Sequence, residues 1–241
     1  MRPICTMPGG KAFQGNMLVE RFPRYSVYVE PFVGAGGVFF AKPKLGKEII
    51  SDKDPELIFV YRMLQRLPAP PNIQLDHISK ETFEKYRKMR PTSDLERLKK
   101  FLVLQQASWR GNRVSYAPAR AEAYSIKDSM FMKRWPEYHE RLKGVTIYNK
   151  DWKEVVRPHL NNPDAFIYLD PPYETGGSSD VTMASRQGDW YGIINIDELA
   201  NMLSKAKAKW MLSFSLNKEL MKKMEKFRIS TYTTRKEPTR K

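Results

Sequence analysis

The stretch from Val27 to Phe40, "VYVEPFVGAGGVFF", restricts the possible folds more than any other. The β-rich run Tyr25-Ser26-Val27-Tyr28-Val29 passes straight into Gly34, Gly36 and Gly37, and a helix is expected to start at Val38. Glycines at such a junction let the chain turn tightly and let a ligand approach the backbone ahead of a helix N-terminus. A second short strand, Glu48-Ile49-Ile50-Ser51-Asp52, then ends on an acid. An acid there can accept hydrogen bonds from both ribose hydroxyls of an adenosine-containing cofactor. A tight structural turn would explain the loop alone; the loop and the acid together favour the cofactor.

The next segments repeat the alternation and then break it. Asp54-Pro55-Glu56 supplies a cap and a first-turn proline, and Leu57, Ile58, Tyr61 and Leu64 follow at helical spacing. The proline-dense "LPAPPNIQLDH", Leu67 to His77, marks a linker. From Ser79 to about Lys143 helical periodicity dominates, most clearly over Leu95, Leu98, Phe101, Leu102 and Gln105. Strand signals return at Val145 to Tyr148, Phe166 to Leu169 and Trp210 to Phe214, and a helix begins at Asp197-Glu198-Leu199. This order predicts an α/β fold with one sheet built from residues 1–66 and 144–241, and an inserted helical module at 67–143. Within the insert, Trp109 opens "WRGNRVSY", a polar, glycine-broken stretch unsuited to a core.

Net charge narrows the partner. The chain carries +15 at neutral pH with a pI near 9.8, and residues 205–241 hold twelve lysines and arginines against three glutamates. Basicity of this size predicts an anionic partner, most often nucleic acid. The only cysteine is Cys5, so there is no disulfide framework, and His77, His139 and His159 are too scattered for a zinc site; no metal is expected. No apolar run approaches the roughly 20 residues of a membrane-spanning helix. The N-terminus lacks the apolar centre of a secretory signal, so a cytoplasmic protein is expected.

The run Phe166 to Leu169 ends in Asp170-Pro171-Pro172-Tyr173. In an open α/β sheet, ligands sit outside the carboxyl ends of the strands, so Asp170 and Tyr173 are expected to face the crevice of Gly34 and Asp52. Consider a nucleobase whose exocyclic amine enters that crevice. Its lone pair is delocalised and weakly nucleophilic. The Asp170 carboxylate can accept one N–H, and the Pro171 carbonyl, stiffened by Pro172, can accept the other. Two acceptors draw the nitrogen toward tetrahedral geometry and stabilise its growing positive charge. Tyr173 offers a ring for stacking, and the base reaches it only by leaving the duplex. A polar turn after a strand is the plain alternative for the motif alone.

In this order the segments resemble the N6-adenine DNA methyltransferases of the Dam-like, D12 class. In these, a target-recognition module lies between the glycine loop and Asp-Pro-Pro-Tyr. Met7-Pro8-Gly9-Gly10-Lys11 resembles the family's Gly-Gly-Lys motif, and Pro31-Phe32-Val33-Gly34-Ala35-Gly36-Gly37 its Phe-x-Gly-x-Gly loop. Asp52 stands where its ribose-binding acid belongs, and Asp151-Trp152 resembles its Asp-Phe pair beside the cofactor adenine. The resemblance implies a Rossmann-like S-adenosylmethionine-dependent methyltransferase sheet with an inserted, mainly helical recognition domain, acting as a monomer on double-stranded DNA. It implies catalysis by Asp170, Pro171, Pro172 and Tyr173. It implies cofactor contacts from Met7, Gly10, Lys11, Phe32, Gly34, Ala35, Gly36, Gly37, Asp52, Asp151, Trp152 and Asp170. Lys11 is expected near the cofactor carboxylate, and Trp109, Arg110, Asn112 and Arg113 on the DNA.

There are departures. Met7 stands where the family usually has an aromatic, and Arg110-Gly111-Asn112-Arg113 differs in order from its Asn-Gly-Leu-x-Arg, so no target sequence carries over. The sequence stops at "TTRKEPTRK", where the family has a further strand. An N4-cytosine or RNA methyltransferase and a catalytically silent DNA-binding protein remain open. Restriction–modification, phage and orphan settings are also open. A C5-cytosine enzyme is excluded, because Cys5 lies outside any Pro-Cys loop.

Overall fold

The computed structural model describes residues 1–7, 9–75, 77–123, 125–126, 129–172, 194–214 and 218–232. Five strands, β1 (Val27–Glu30), β2 (Lys47–Ser51), β3 (Thr146–Tyr148), β4 (Ala165–Leu169) and β5 (Lys209–Leu212), form one sheet in the order β3-β2-β1-β4-β5. Every pairing is parallel, with Tyr28 opposite Phe166 and Tyr168 opposite Met211. Strands of a parallel sheet are covered on both faces and so read as continuous apolar runs; all five residues of β4 are buried. From β1 the chain winds first to β2 and β3, then returns to the other side for β4 and β5. The strand order therefore reverses at β1 and β4, and a crevice opens at their carboxyl ends.

Two layers cover the sheet. On one face lies the helix Pro55–Arg66, capped by Asp54, whose carboxylate accepts from the amides of Glu56 at 2.9 Å and Leu57 at 3.2 Å. The helix Trp135–Leu142 is tied to it through Gln65 Nε2, which donates to the carbonyls of Leu142 and Val145 at 2.8 and 2.7 Å. Helices Lys80–Lys88 and Asp94–Gln106 extend this layer, and their Phe83 and Leu98 share one buried cluster with Tyr28 and Phe166 of the sheet. The other face is covered by helices Trp152–Val156 and Ile196–Ser204, which bury Val155 and Leu199 against Val29 and Ile167. Among the described residues no helix is long and apolar enough to cross a membrane.

The expected helix at Val38 does not form. Instead, Phe40 N bonds to Gly36 O at 2.9 Å and Ala41 N to Val38 O at 3.0 Å, closing isolated turns. A proline at position 43 disfavours the helical region for the residue before it, and both Phe39 and Phe40 are buried in the core. The turn also buries a charge cluster. Lys42 pairs with Glu48 of β2, and Arg141 donates to the same carboxylate at 2.5 and 3.0 Å. The Arg141 guanidinium lies 4.0 Å from the Phe39 ring centroid, and the Lys42 ammonium 4.3 Å from that of Tyr28. Side-chain exposure is 0% for Lys42, 2% for Glu48 and 8% for Arg141.

Candidate active site

At the end of β4, Asp170 Oδ1 accepts from Lys11 Nζ at 2.7 Å and from Ser213 Oγ at 2.8 Å. Ser213 directly follows β5, where its amide bonds to Leu169 O at 2.9 Å, and its hydroxyl also lies 2.8 Å from Tyr168 OH. Pro171 is buried beside it. Tyr173 lies outside the described residues. Lys11 was expected near a cofactor carboxylate, whereas here its ammonium sits on Asp170. Opposite charges in a partly buried crevice attract strongly enough to hold that contact. The backbone of Lys11 reaches the crevice because position 37 is glycine: a Cβ there would lie 2.8 Å from Lys11 C. Gly10 belongs to the exposed turn before Lys11, with its amide on Met7 O at 3.1 Å. Met7 is half-buried and packs against the core.

The glycine loop is fastened to the second strand end. Gly34 N donates to Asp52 Oδ2 at 2.8 Å, Asp54 N to Asp52 Oδ1 at 2.9 Å, and Tyr61 OH to Gly34 O at 3.0 Å. Gly36 has φ +80, and a Cβ on it would lie 2.6 Å from Tyr61 Oη, so no other residue fits without a shift. Ala35 is buried under the loop. Beside the loop opens a cleft lined by Phe32, Lys53, Asp151, Trp152, Asn195 and Glu198. The rings of Phe32 and Trp152 stand 6.2 Å apart at 34°. Asp151 caps the helix Trp152–Val156 by accepting from Lys153 N at 3.0 Å, and its other oxygen lies 3.3 Å from Lys53 Nζ. Thus Phe32, Gly34, Asp52, Asp151 and Asp170 all gather at the carboxyl edge of the sheet. Trp152 is mostly packed into the core below.

The four residues expected on DNA divide. Trp109 is 56% exposed, and Arg110 beside it is also exposed. Asn112 is buried, and its Oδ1 accepts from the amides of Val114 at 2.9 Å and Ser115 at 3.0 Å, an Asx turn that consumes the acceptor expected to read a base. Arg113 turns inward to pair with the Asp54 carboxylate, its guanidinium 5.3 Å from the Phe101 ring centroid. Both residues are therefore held within the fold rather than offered to a duplex. Arg110 and Arg113 have φ of +50 and +58, the left-handed region that costs a non-glycine residue strain. Nearby, Gln105 Nε2 donates to Thr6 O at 2.6 Å, which joins the insert to the segment leading to Lys11.

Three residues of this neighbourhood escaped the sequence reading: Tyr168, Ser213 and Glu30. Glu30 ends β1, is almost fully buried, and accepts from Tyr28 OH at 2.6 Å. Burial pushes its carboxyl up to about 8; the Tyr28 hydrogen bond and Lys42 pull it back, and Asp170 adds to the rise. Glu30 therefore stays neutral across the pH range in which an unfolded glutamate, with its value of 4.5, ionises. Between those two values the folded state holds the extra proton, so stability falls as pH rises through this window. Glu30→Gln cannot ionise and is expected to flatten that fall. Thermal melts of both proteins at pH 5 and pH 8 check it: the variant should lose less than the wild type.

Among the described residues no cluster of three metal-ligating side chains occurs. The profile of the D12 class N6 adenine-specific DNA methyltransferases matches residues 8–237. The chain is 26% identical to the Type II methyltransferase M.CviBI of Paramecium bursaria Chlorella virus NC1A, over 73% of this chain and 70% of that protein. It is 25% identical to the Type II methyltransferase M.MjaIII of Methanocaldococcus jannaschii, over 93% and 88% of the two chains. It is 24% identical to the Type II methyltransferase M1.LlaDCHI of Lactococcus lactis subsp. cremoris, over 72% and 66%. A match that takes in the Lys11 turn, the glycine loop, the insert and the Asp170 strand end in one run leaves a single assignment: the chain belongs to the D12 class N6 adenine-specific DNA methyltransferase family.

Proposed function

We infer that this protein transfers a methyl group from S-adenosylmethionine to the exocyclic N6 of adenine in double-stranded DNA, with the base flipped out of the helix. The observation that carries this reading is Asp170-Pro171-Pro172 at the end of β4, beside the β1 glycine loop, with the Asp170 carboxylate gripped by Lys11 and Ser213. The cleft suits an adenosine-containing cofactor. It has aromatic walls in Phe32 and Trp152 and acids in Asp151 and Glu198, and beside it Asp52 holds the amide of Gly34, where a Cβ would meet nothing within 4 Å. Bound there, S-adenosylmethionine supplies an electrophilic methyl on sulfur.

The protein's own part is to prepare the amine. The Asp170 carboxylate accepts one N–H and the Pro171 carbonyl the other, which localises the nitrogen lone pair and stabilises its positive charge until a proton leaves. Tyr173 is assigned the stacking role on sequence alone. Residues 1–66 and 144–241 form the catalytic unit in this reading, and 67–143 the recognition insert of a monomer. The exposed Trp109 and Arg110 are its DNA contacts, and Asn112 and Arg113 are their scaffold. Arg110→Ala is expected to weaken duplex binding regardless of sequence and to lower the slope of log K against log salt by about one unit, as for one lost phosphate contact. A salt titration by fluorescence anisotropy measures it.

The reaction itself is tested by label transfer from S-adenosylmethionine to duplex DNA, single-stranded DNA and RNA, followed by digestion to nucleosides. N6-methyladenosine from duplex DNA supports the reading. Label in N4-methylcytosine or in RNA replaces it with the corresponding activity, and binding without label leaves a DNA-binding protein.

A further inference from the structure

We propose that Tyr168 and Ser213 are positioning residues for Asp170, forming a hydrogen-bond relay from Tyr168 OH to Ser213 Oγ to Asp170 Oδ1 that decides which carboxylate oxygen meets the target amine. Ser213 Oγ lies 2.8 Å from each neighbour. A serine hydroxyl has one proton and can accept in return, whereas a carboxylate only accepts. The Ser213 proton therefore goes to Asp170, and the Ser213 lone pair takes the proton of Tyr168. The phenol is suited to permanent donation: it is fully buried, and burial, followed by the nearby Asp170 charge, holds its pKa well above the ordinary value.

Both relay residues are anchored in the sheet. Tyr168 lies in β4, with its ring 5.8 Å from that of Phe22, and Ser213 extends β5 through its amide on Leu169 O at 2.9 Å. Lys11 Nζ, 2.7 Å away, takes the same Oδ1. Two donors converge on one oxygen of Asp170, so the carboxylate is held in one orientation and Oδ2 is the acceptor presented to the amine. Such a group needs no reorientation when charge develops on the nitrogen. A relay of this kind acts on the rate of transfer and leaves the binding of either substrate alone.

The proposal rests on Asp170 as the amine acceptor, and its test separates the two ideas. Steady-state transfer from S-adenosylmethionine to unmethylated duplex DNA is measured for the wild type, Ser213→Ala, Tyr168→Phe and the double variant, with calorimetric binding of S-adenosylhomocysteine and a thermal melt for each. Ser213→Ala is expected to lower kcat about 10- to 100-fold, the scale of a small misplacement of a reacting group. KM for both substrates and S-adenosylhomocysteine affinity should stay within about twofold. Tyr168→Phe should lower kcat less, and the double variant should be no slower than Ser213→Ala, because the relay is already cut. A folded Ser213→Ala that keeps wild-type kcat overturns the relay, as do losses that appear in KM or that multiply in the double variant. If the wild type transfers no methyl to DNA, the assigned reaction fails and takes the relay with it.

Discussion

Asp170→Asn is expected to slow methyl transfer by about 100- to 1,000-fold, the scale set by removing one preorganised polar group from a developing charge. The amide keeps the shape of the carboxylate and can still accept from Ser213. It cannot supply the negative charge that stabilises the amine as it becomes cationic, and it weakens the hold on Lys11, whose ammonium now lies 2.7 Å from that oxygen. Among the described residues, Asp170 does not line the cleft of Phe32, Asp151 and Trp152. Affinity for S-adenosylhomocysteine should therefore change little while the single-turnover rate collapses. A variant that retains more than about a tenth of the wild-type rate, a barrier change of only ~1.4 kcal/mol, would remove Asp170 from the electrostatic role.

Glu48→Ala should have the largest effect on stability. Among the described residues, Glu48 is the acid paired with both Lys42 and Arg141, and all three are buried. Among the described residues Arg141 Nε has no hydrogen-bond partner, so the guanidinium has little in reserve. Removing the shared carboxylate leaves two charges in a medium that solvates them poorly, which typically costs about 3–5 kcal/mol. For a chain of this size that corresponds to a fall in Tm of roughly 6–20 °C. Replacing all three residues together by apolar side chains of similar volume should cost far less, because the burden lies in the uncompensated charge. Denaturant melts of both variants measure the contrast. Equal losses in the two would mean that packing around Phe39 and Tyr28, rather than charge, sets the stability here.

The central strand was legible because it is buried on both faces: Ala165–Leu169 is an unbroken apolar run, and no amphipathic alternation was needed to find it. Asp54 was legible as a cap because capping is local, acting two and three residues ahead. Apart from the helix at Val38, what the sequence did not show are contacts between segments distant in sequence. Lys11 and Asp170 are 159 residues apart, Ser213 and Asp170 43, and Arg113 and Asp54 59. No local pattern distinguishes an arginine that reads DNA from one that faces a helix cap, and Asp54 was already explained by its capping role. Glu30 was passed over for a related reason. At the end of a strand a glutamate usually reaches solvent, and only the assembled sheet shows it enclosed. The missing helix at Val38 is the one local failure, and Pro43, five residues on, carried the warning.

The ion pair between Arg113 and Asp54 bears on how such enzymes can be re-engineered. Asp54 uses one oxygen to start the helix Pro55–Arg66 and the other to hold Arg113, and its own amide steadies Asp52. On the proposed reading of residues 108–116 as a recognition loop, a graft from a relative that lacks an arginine at position 113 would remove the residue on which this arrangement closes. On the proposed function, the chimera would then present as defective in cofactor affinity, although no residue lining the proposed cofactor cleft had been altered. Grafts at residues 108–116 therefore have to carry an arginine that reaches Asp54, or exchange Asp54 along with the loop, and screens for altered sequence preference should be read beside a cofactor titration.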